Sequence, residues 1–471
     1  MPLFTVIVAL VHWRIIVTAT SLRQAVPWSA LDQAINKALI LPDDTSYEEA
    51  RRVWNGMIDR RPAAIARCHT VEDVVAAVQF AREYDIPIAV RGGGHNAAGL
   101  AVIDDGLVID LTEMSAVAVD PERRIARAGG GATWGDFDAA TQAHGLATTG
   151  GAISMTGVAG LTLGGGLGYL MRKHGLACDN LIGAQVVLAD GSVVTTSETE
   201  RPELLWGLRG GGGNFGVVTE FVFQLHPLEG VVAGMLLHPR DRAVAALRAY
   251  RELTADAPDE LVAFCAQLCS PEGVPLVGYV LAYAGDAEAA EPVLAGFREF
   301  AEPVADLVAP MPYVALQQML DEGFAAGPHV YWRSHFLTGI PDEAIDILVA
   351  GANAAPSPMS AVLVEHAGGA VSRMNAEDSA FDHRDAEYNL AIIARWLDPA
   401  DAEANIAWAR DLWDAMRPYA RGVYVNYLGI GDAADRVRDA YSPAKYERLA
   451  ALKRQYDPEN IFRANQNIAP A

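Results

Sequence analysis

Apolar residues recur at i, i+3 and i+4 through residues 71–84 (VEDVVAAVQFAREY), which predicts an amphipathic helix with Thr70 as its N-cap. Short apolar runs at 64–68 and 88–90 predict buried strands on either side of it, and 107–111 and 117–119 predict two more. Residues 47–60 and 133–144 carry helical patterns. Strand and helix thus alternate to about residue 150, an α/β layering. Residues 183–188 and 193–195 flank Asp190-Gly191 and predict a hairpin; 202–208 predicts helix, and 217–225 alternates as a strand.

The texture changes near residue 229. Strand patterns at 261–268, 275–284, 330–337, 361–366 and 388–396 are separated by helical patterns at 286–300, 313–321, 341–353 and 399–417, which predicts a mostly antiparallel sheet with helices. Residues 423–428 predict a further strand and 443–455 a charged helix. A chain of 471 residues exceeds one ordinary core, so two domains are expected. With 51% hydrophobic and 20% charged residues it has the composition of a packed globular protein.

A formal net charge of −23 repels phosphate backbones and argues against nucleic acid as a partner. Four cysteines (Cys68, Cys178, Cys265, Cys269) form no CxxC pair, and His12, His144, His174 and His226 have no ligand spacing, so no metal is expected. The apolar run at 3–11 is too short to span a bilayer and has no Lys or Arg before it. A cytoplasmic protein without membrane attachment is expected, with a signal, an extension or a start-site artefact left open for residues 1–25.

Three glycine runs stand out: Arg91-Gly92-Gly93-Gly94-His95-Asn96, Gly164-Gly165-Gly166-Leu167-Gly168, and Gly210-Gly211-Gly212-Gly213-Asn214-Phe215-Gly216. Without a Cβ, such backbone approaches a ligand closely, and its successive N–H groups can nest phosphate oxygens. Three such loops point to a large anionic cofactor. Residues 150–168 hold eight glycines and no charge, the mark of backbone packed against a buried partner. Residues 211–216 match GxGxxG, yet a helix precedes and a strand follows, the reverse of a nicotinamide site.

Together with 205–216 and the ending at 446–468, these runs resemble the berberine bridge enzyme-like FAD-linked oxidases of the vanillyl-alcohol oxidase, or p-cresol methylhydroxylase (PCMH), fold, over roughly residues 45–470. The resemblance implies an α+β fold: a two-subdomain PCMH-type FAD-binding domain with an inserted antiparallel-sheet substrate domain. The expected division is an extension at 1–45, the FAD domain at 46–228, the substrate domain at 229–420 and a segment returning to FAD at 421–471. It implies an 8α-histidyl bond from FAD to His95. Ile153 stands where many relatives carry a second, cysteinyl link, and no cysteine lies between Cys68 and Cys178, so a single tether is expected. Backbone from Arg91, Gly92, Gly93, Gly94 and Asn96, with Thr156, Gly157, Gly160 and Gly164, is expected to hold the pyrophosphate. Val217, Val218 and Asn426 are expected beside the flavin.

For catalysis the resemblance points to Tyr424 as base or substrate-positioning group, with Asn426 on the same face of the predicted strand. A phenol of pKa near 10 needs help, and Asp378 sits where relatives place an acidic partner. Asp378 as a turn cap, Tyr424 as a core aromatic and Tyr427 as the alternative stay open. His383-Arg384 reads as a loop anchor, Tyr331-Trp332-Arg333 as cleft or core, and Cys178 as core. The expected reaction oxidises an alcohol, carbohydrate hydroxyl or related C–H of a small molecule. A proton leaves, a hydride moves to flavin N5, and O2 accepts the electrons as H2O2. Thr156, near the position that gates oxygen, leaves a dehydrogenase open. An amine oxidase of the 6-hydroxy-D-nicotine oxidase kind and a flavin carrier without turnover are the other readings.

Overall fold

The computed structural model describes residues 26–432 and 434–471, so the N-terminal apolar run lies outside the described residues. The first sheet orders Leu39–Ile40, Ala64–Arg67, Leu107–Asp110 and Ile88–Arg91, the last three parallel. Its strands read as continuous apolar runs because both faces are covered. The helix Val71–Glu83 starts at Thr70, whose side chain accepts from Asp73 N while Asp73 caps in return. It buries Val74, Ala77, Val78 and Ala81 against this sheet.

The second sheet is antiparallel throughout, in the order Val117–Asp120, Ile125–Gly129, Val217–Gln224, Leu181–Val187, Val193–Ser197. The expected hairpin joins its last two strands, with Gly191 at φ +82°. Ile125–Gly129 adds a strand beyond those predicted.

The strands between residues 231 and 422 form one nine-stranded antiparallel sheet, centred on Leu261–Cys269, Ala361–His366 and Tyr388–Trp396. Val231–Pro239 and the helix Ala243–Ala255 join the elements predicted. Side chains alternate across it. Val362, Val364, Leu390 and Ile392 pack under the helices Ala243–Ala255, Ala287–Glu299, Asp342–Asn353 and Ala402–Met416. Phe264, Leu363, Glu365 and Ile393 take the opposite face, toward the glycine loops. Among the described residues no helix is long and apolar enough to cross a membrane.

Two predicted elements differ. The helix expected over 47–60 ends after Tyr47–Ala50, because Trp54 and Asn55 bond to distant backbone instead of to their own turn. The strand expected at 423–428 is Ala420–Gly422 followed by a 3₁₀ turn, Val425–Tyr427. The chain leaves the sheet there and carries Tyr424 and Asn426 to the glycine loops.

The C-terminal helix Pro443–Tyr456 carries an ion pair with no exposed surface, Lys453 Nζ to Asp457 Oδ2 at 2.7 Å. Lys453 also donates to Asn214 O and Phe462 O, both at 2.8 Å, and Asp457 accepts from the Ile461 and Phe462 amides. These bonds fasten the last segment to the third glycine run. Lys453→Met should cost about 3–5 kcal/mol in chemical unfolding, because Asp457 is left buried and unpaired; a loss below about 1 kcal/mol would contradict this account of the pair.

Candidate functional site

The cavity begins where two glycine loops from different sheets touch. A Cβ on Gly93 would lie 2.5 Å from Gly157 N, and one on Gly157 would lie 2.5 Å from Gly93 N. Gly94, at φ +66°, then turns the chain toward His95. Gly160 and Gly213 present the opposite case: a Cβ at either would meet nothing within 4 Å, so their bare backbone faces open space. Gly92, Gly93, Gly94, Asn96, Thr156, Gly157, Gly160, Gly164, Val217, Val218 and Asn426 all line this cavity, as does Ile153.

Arg91 does not line it. Its guanidinium turns back to Asp110 at 2.9 Å and to Arg52 O at 3.1 Å, so it braces the loop from behind. Asp378 is also misplaced by the sequence reading. It is exposed on a 3₁₀ turn, where Asn375 Nδ2 donates to it at 2.9 Å. Its position as a local turn residue leaves it no access to the cavity. The neighbouring Arg384 anchors that loop, through an ion pair to Asp179 at 2.5 Å. His383 contacts Asp439 O, and Cys178 is a core residue.

His95 stacks on Trp54, with ring centroids 4.3 Å apart and planes at 20°. Its Nε2 is buried and has no hydrogen-bond partner. Burial lowers the imidazole pKa to about 4, against a weaker opposing pull from its own backbone and Asp321. The ring is therefore neutral at pH 7, with a lone pair free.

Tyr424 and Asn426 do converge, by the turn rather than by strand alternation. The Tyr424 oxygen accepts from Asn426 Nδ2 and Gly166 N, both at 2.8 Å, and from Leu167 N at 3.4 Å. Burial pushes the phenol pKa up, and these donors pull against it. Gly164 makes room: a Cβ there would lie 2.1 Å from Asn426 Oδ1.

The carboxyl of the site is Glu365, which the sequence reading missed. It stands on the cavity face of the central strand, directly opposite Phe264 on one neighbour and Asn389 on the other. Asn389 Nδ2 donates to its Oε2, and Tyr427 OH donates to its Oε1 at 3.2 Å. Burial raises its pKa from 4.5 to about 7, opposed by these two hydrogen bonds. The cavity around it is lined by the apolar side chains of Phe264, Leu320, Phe324, Trp332, Leu363 and Ile393 and by the polar Tyr424, Asn426 and Tyr427. Tyr331 and Arg333 point to the helix face, where Arg333 pairs with Asp432, so only Trp332 of that triplet reaches the cavity. A lone charge in an apolar strand (AVLVEH) was the sequence signal for Glu365. Trp54 carried none.

Residues 62–197 match the FAD binding domain family, and residues 423–469 match the berberine and berberine-like family. An FAD-linked oxidoreductase of Dictyostelium discoideum is 33% identical over 90% of this chain and 92% of its own. The (R)-6-hydroxynicotine oxidase of Paenarthrobacter nicotinovorans is 34% identical over 93% of this chain and 97% of its own. The chain belongs to the berberine-like FAD-linked oxidoreductases. Its fold superposes on the crystal structure of 6-hydroxy-D-nicotine oxidase from Arthrobacter nicotinovorans with a TM-score of 0.85, at 32% identity and covering 92% of this chain and 98% of that one.

It is therefore an FAD-dependent oxidoreductase, and its cavity suits that cofactor. The open faces of Gly160 and Gly213 leave space for a phosphate-bearing chain, and the unpartnered His95 Nε2 faces no protein acceptor or donor.

Glu365 makes stability depend on pH. A raised folded pKa means that folding favours the protonated acid, so stability falls as pH rises from about 4.5 toward 7 and then levels off. Glu365→Gln should therefore melt above wild type at pH 8, by up to about 3 kcal/mol, and converge with it near pH 4. A difference that stays constant across that range would contradict the buried-acid assignment.

Proposed function

We propose that this chain is a single-tether, covalent-FAD oxidase acting on a small apolar alcohol or amine. The observation that carries this reading is the single carboxyl of the substrate wall, Glu365, set among six apolar side chains. Each carbohydrate hydroxyl facing one of those six side chains would go unpaired, at about 1–3 kcal/mol, while Tyr424, Asn426 and Tyr427 offer partners elsewhere in the cavity. The apolar side chains favour an alcohol or amine with an apolar body, and the sugar hydroxyl stays as the alternative the screen below decides. The name of the 6-hydroxynicotine oxidase relative supports an amine among these options.

FAD, when bound, supplies the acceptor for a hydride from substrate carbon. The residues of this chain do the rest. His95, neutral and unpartnered, holds the isoalloxazine end through its ring nitrogen. Glu365 takes the proton from the substrate O–H or N–H, and Asn389 and Tyr427 hold its two oxygens in place while it does so. The apolar wall excludes water from the reacting carbon. O2 is the proposed acceptor, through the side of the cavity lined by Thr156.

Tyr424 is the second candidate base. Its oxygen has three N–H neighbours, which would stabilise a phenolate.

A peroxide-release screen over apolar alcohols, arylalkyl amines and oligosaccharides, run beside a dye acceptor, tests the reading. With an active substrate, kcat/KM should rise through a pH of about 7 as Glu365 ionises. Glu365→Gln should abolish that limb and lower kcat/KM by about 10²–10⁴-fold. Turnover of oligosaccharides alone would contradict the substrate class. A near-normal Glu365→Gln beside an inactive Tyr424→Phe would move the base to Tyr424.

A further inference from the structure

We propose that Trp54 is the positioning residue for covalent attachment of flavin at His95. The inference rests on the His95 tether.

Trp54 holds His95 by its ring and by its backbone. The indole face lies against the imidazole at 4.3 Å, and Trp54 N donates to the carbonyl of Gly94, the residue before His95, at 3.1 Å. The indole itself is clamped from the other side. Its Nε1 donates to Phe324 O at 2.6 Å, and Trp54 O accepts from Gly327 N at 3.1 Å. Asn55 repeats the pattern with no exposed surface. Its Nδ2 donates to Ala97 O at 2.6 Å and to Val330 O at 2.9 Å, and its Oδ1 accepts from Met57 N and Val330 N, both at 3.0 Å. The backbone on both sides of His95 is thus tied to one dipeptide, and that dipeptide is tied to Phe324 and Gly327, in the turn and loop that lead into the strand His329–Leu337, and to Val330 on that strand.

Attachment joins an imidazole nitrogen to the flavin 8α carbon. One imidazole N–H and one C–H of the 8-methyl group are lost. The two electrons released pass to O2, which takes them with two protons as H2O2. The nitrogen must be unprotonated and aimed, and an imidazole free to rotate meets the second condition only part of the time. Trp54 removes that freedom and shields one ring face from water. Its own clamp comes from the turn and loop at 322–327, so the aim of His95 depends on contacts made by that segment.

The test compares wild type, Trp54→Met and Trp54→Phe for two quantities: total FAD per chain, and the fraction of flavin that stays with acid-precipitated protein. Met fills much of the volume but offers no ring face. Trp54→Met should keep its total FAD while its covalent fraction falls at least about fivefold. Trp54→Phe keeps a ring but loses the Nε1 bond, and should reach the wild-type fraction more slowly in a time course after FAD addition. If Trp54→Met is insoluble, the Trp54→Phe time course decides, and a wild-type rate overturns the proposal. A wild-type covalent fraction in Trp54→Met overturns it too, as does a loss of total FAD in step with covalent FAD, which would mark a structural role. Wild-type protein that releases all its flavin overturns the tether itself, and this inference with it.

Discussion

Two peptide backbones touch at Gly93 and Gly157, and the cavity exists because neither carries a Cβ. One loop leaves the parallel sheet after Ile88–Arg91 and the other comes after the helix Trp134–Gln142 of the second subdomain, so the contact joins the two halves. Any side chain at either position would force backbone atoms apart by more than rotamer adjustment can absorb. The rest of the cavity depends on that joint. Gly160 and Gly213 keep an open face, and Gly94 turns the chain just before His95, which lines the same cavity.

The inserted sheet answers from the opposite side. Its helix face is an ordinary apolar core, while its other face presents Phe264, Trp332, Leu363 and Ile393 with one carboxyl to the cavity, and Leu320 and Phe324 join them from the connecting segment. Burying a carboxyl there is costly, and the cost registers as a raised pKa held in check by Asn389 and Tyr427. A carboxyl with a pKa near neutrality in such a cleft is suited to the proton abstraction proposed above. Trp54 and Asn55 fix the distance between the two halves, so His95 and Glu365 belong to one rigid arrangement rather than to two neighbouring ones.

Elements governed by local chemistry were legible in the sequence. Thr70 with Asp73 announced a helix, Asp190-Gly191 announced a hairpin, and each of the three glycine runs marked a loop that lines the cavity. Elements governed by distant partners were not. Residues 51–60 have a helical pattern, yet Trp54 and Asn55 form their bonds with segments some 270 residues away. The 423–428 run has a strand pattern, yet Tyr424 and Asn426 leave the sheet for the glycine loops. Arg91 and Asp378 were assigned by their place in a motif, and only the fold reveals that one faces Asp110 and the other faces solvent. Glu365 was visible as an odd charge in an apolar strand, but its significance lay in what stands opposite it.

The most direct test of the whole arrangement is peptide mapping of acid-denatured wild-type protein by mass spectrometry. The account predicts one flavin-bearing peptide, the one containing His95, and an unmodified peptide around Ile153. An unmodified His95 peptide with all flavin in the supernatant would contradict it.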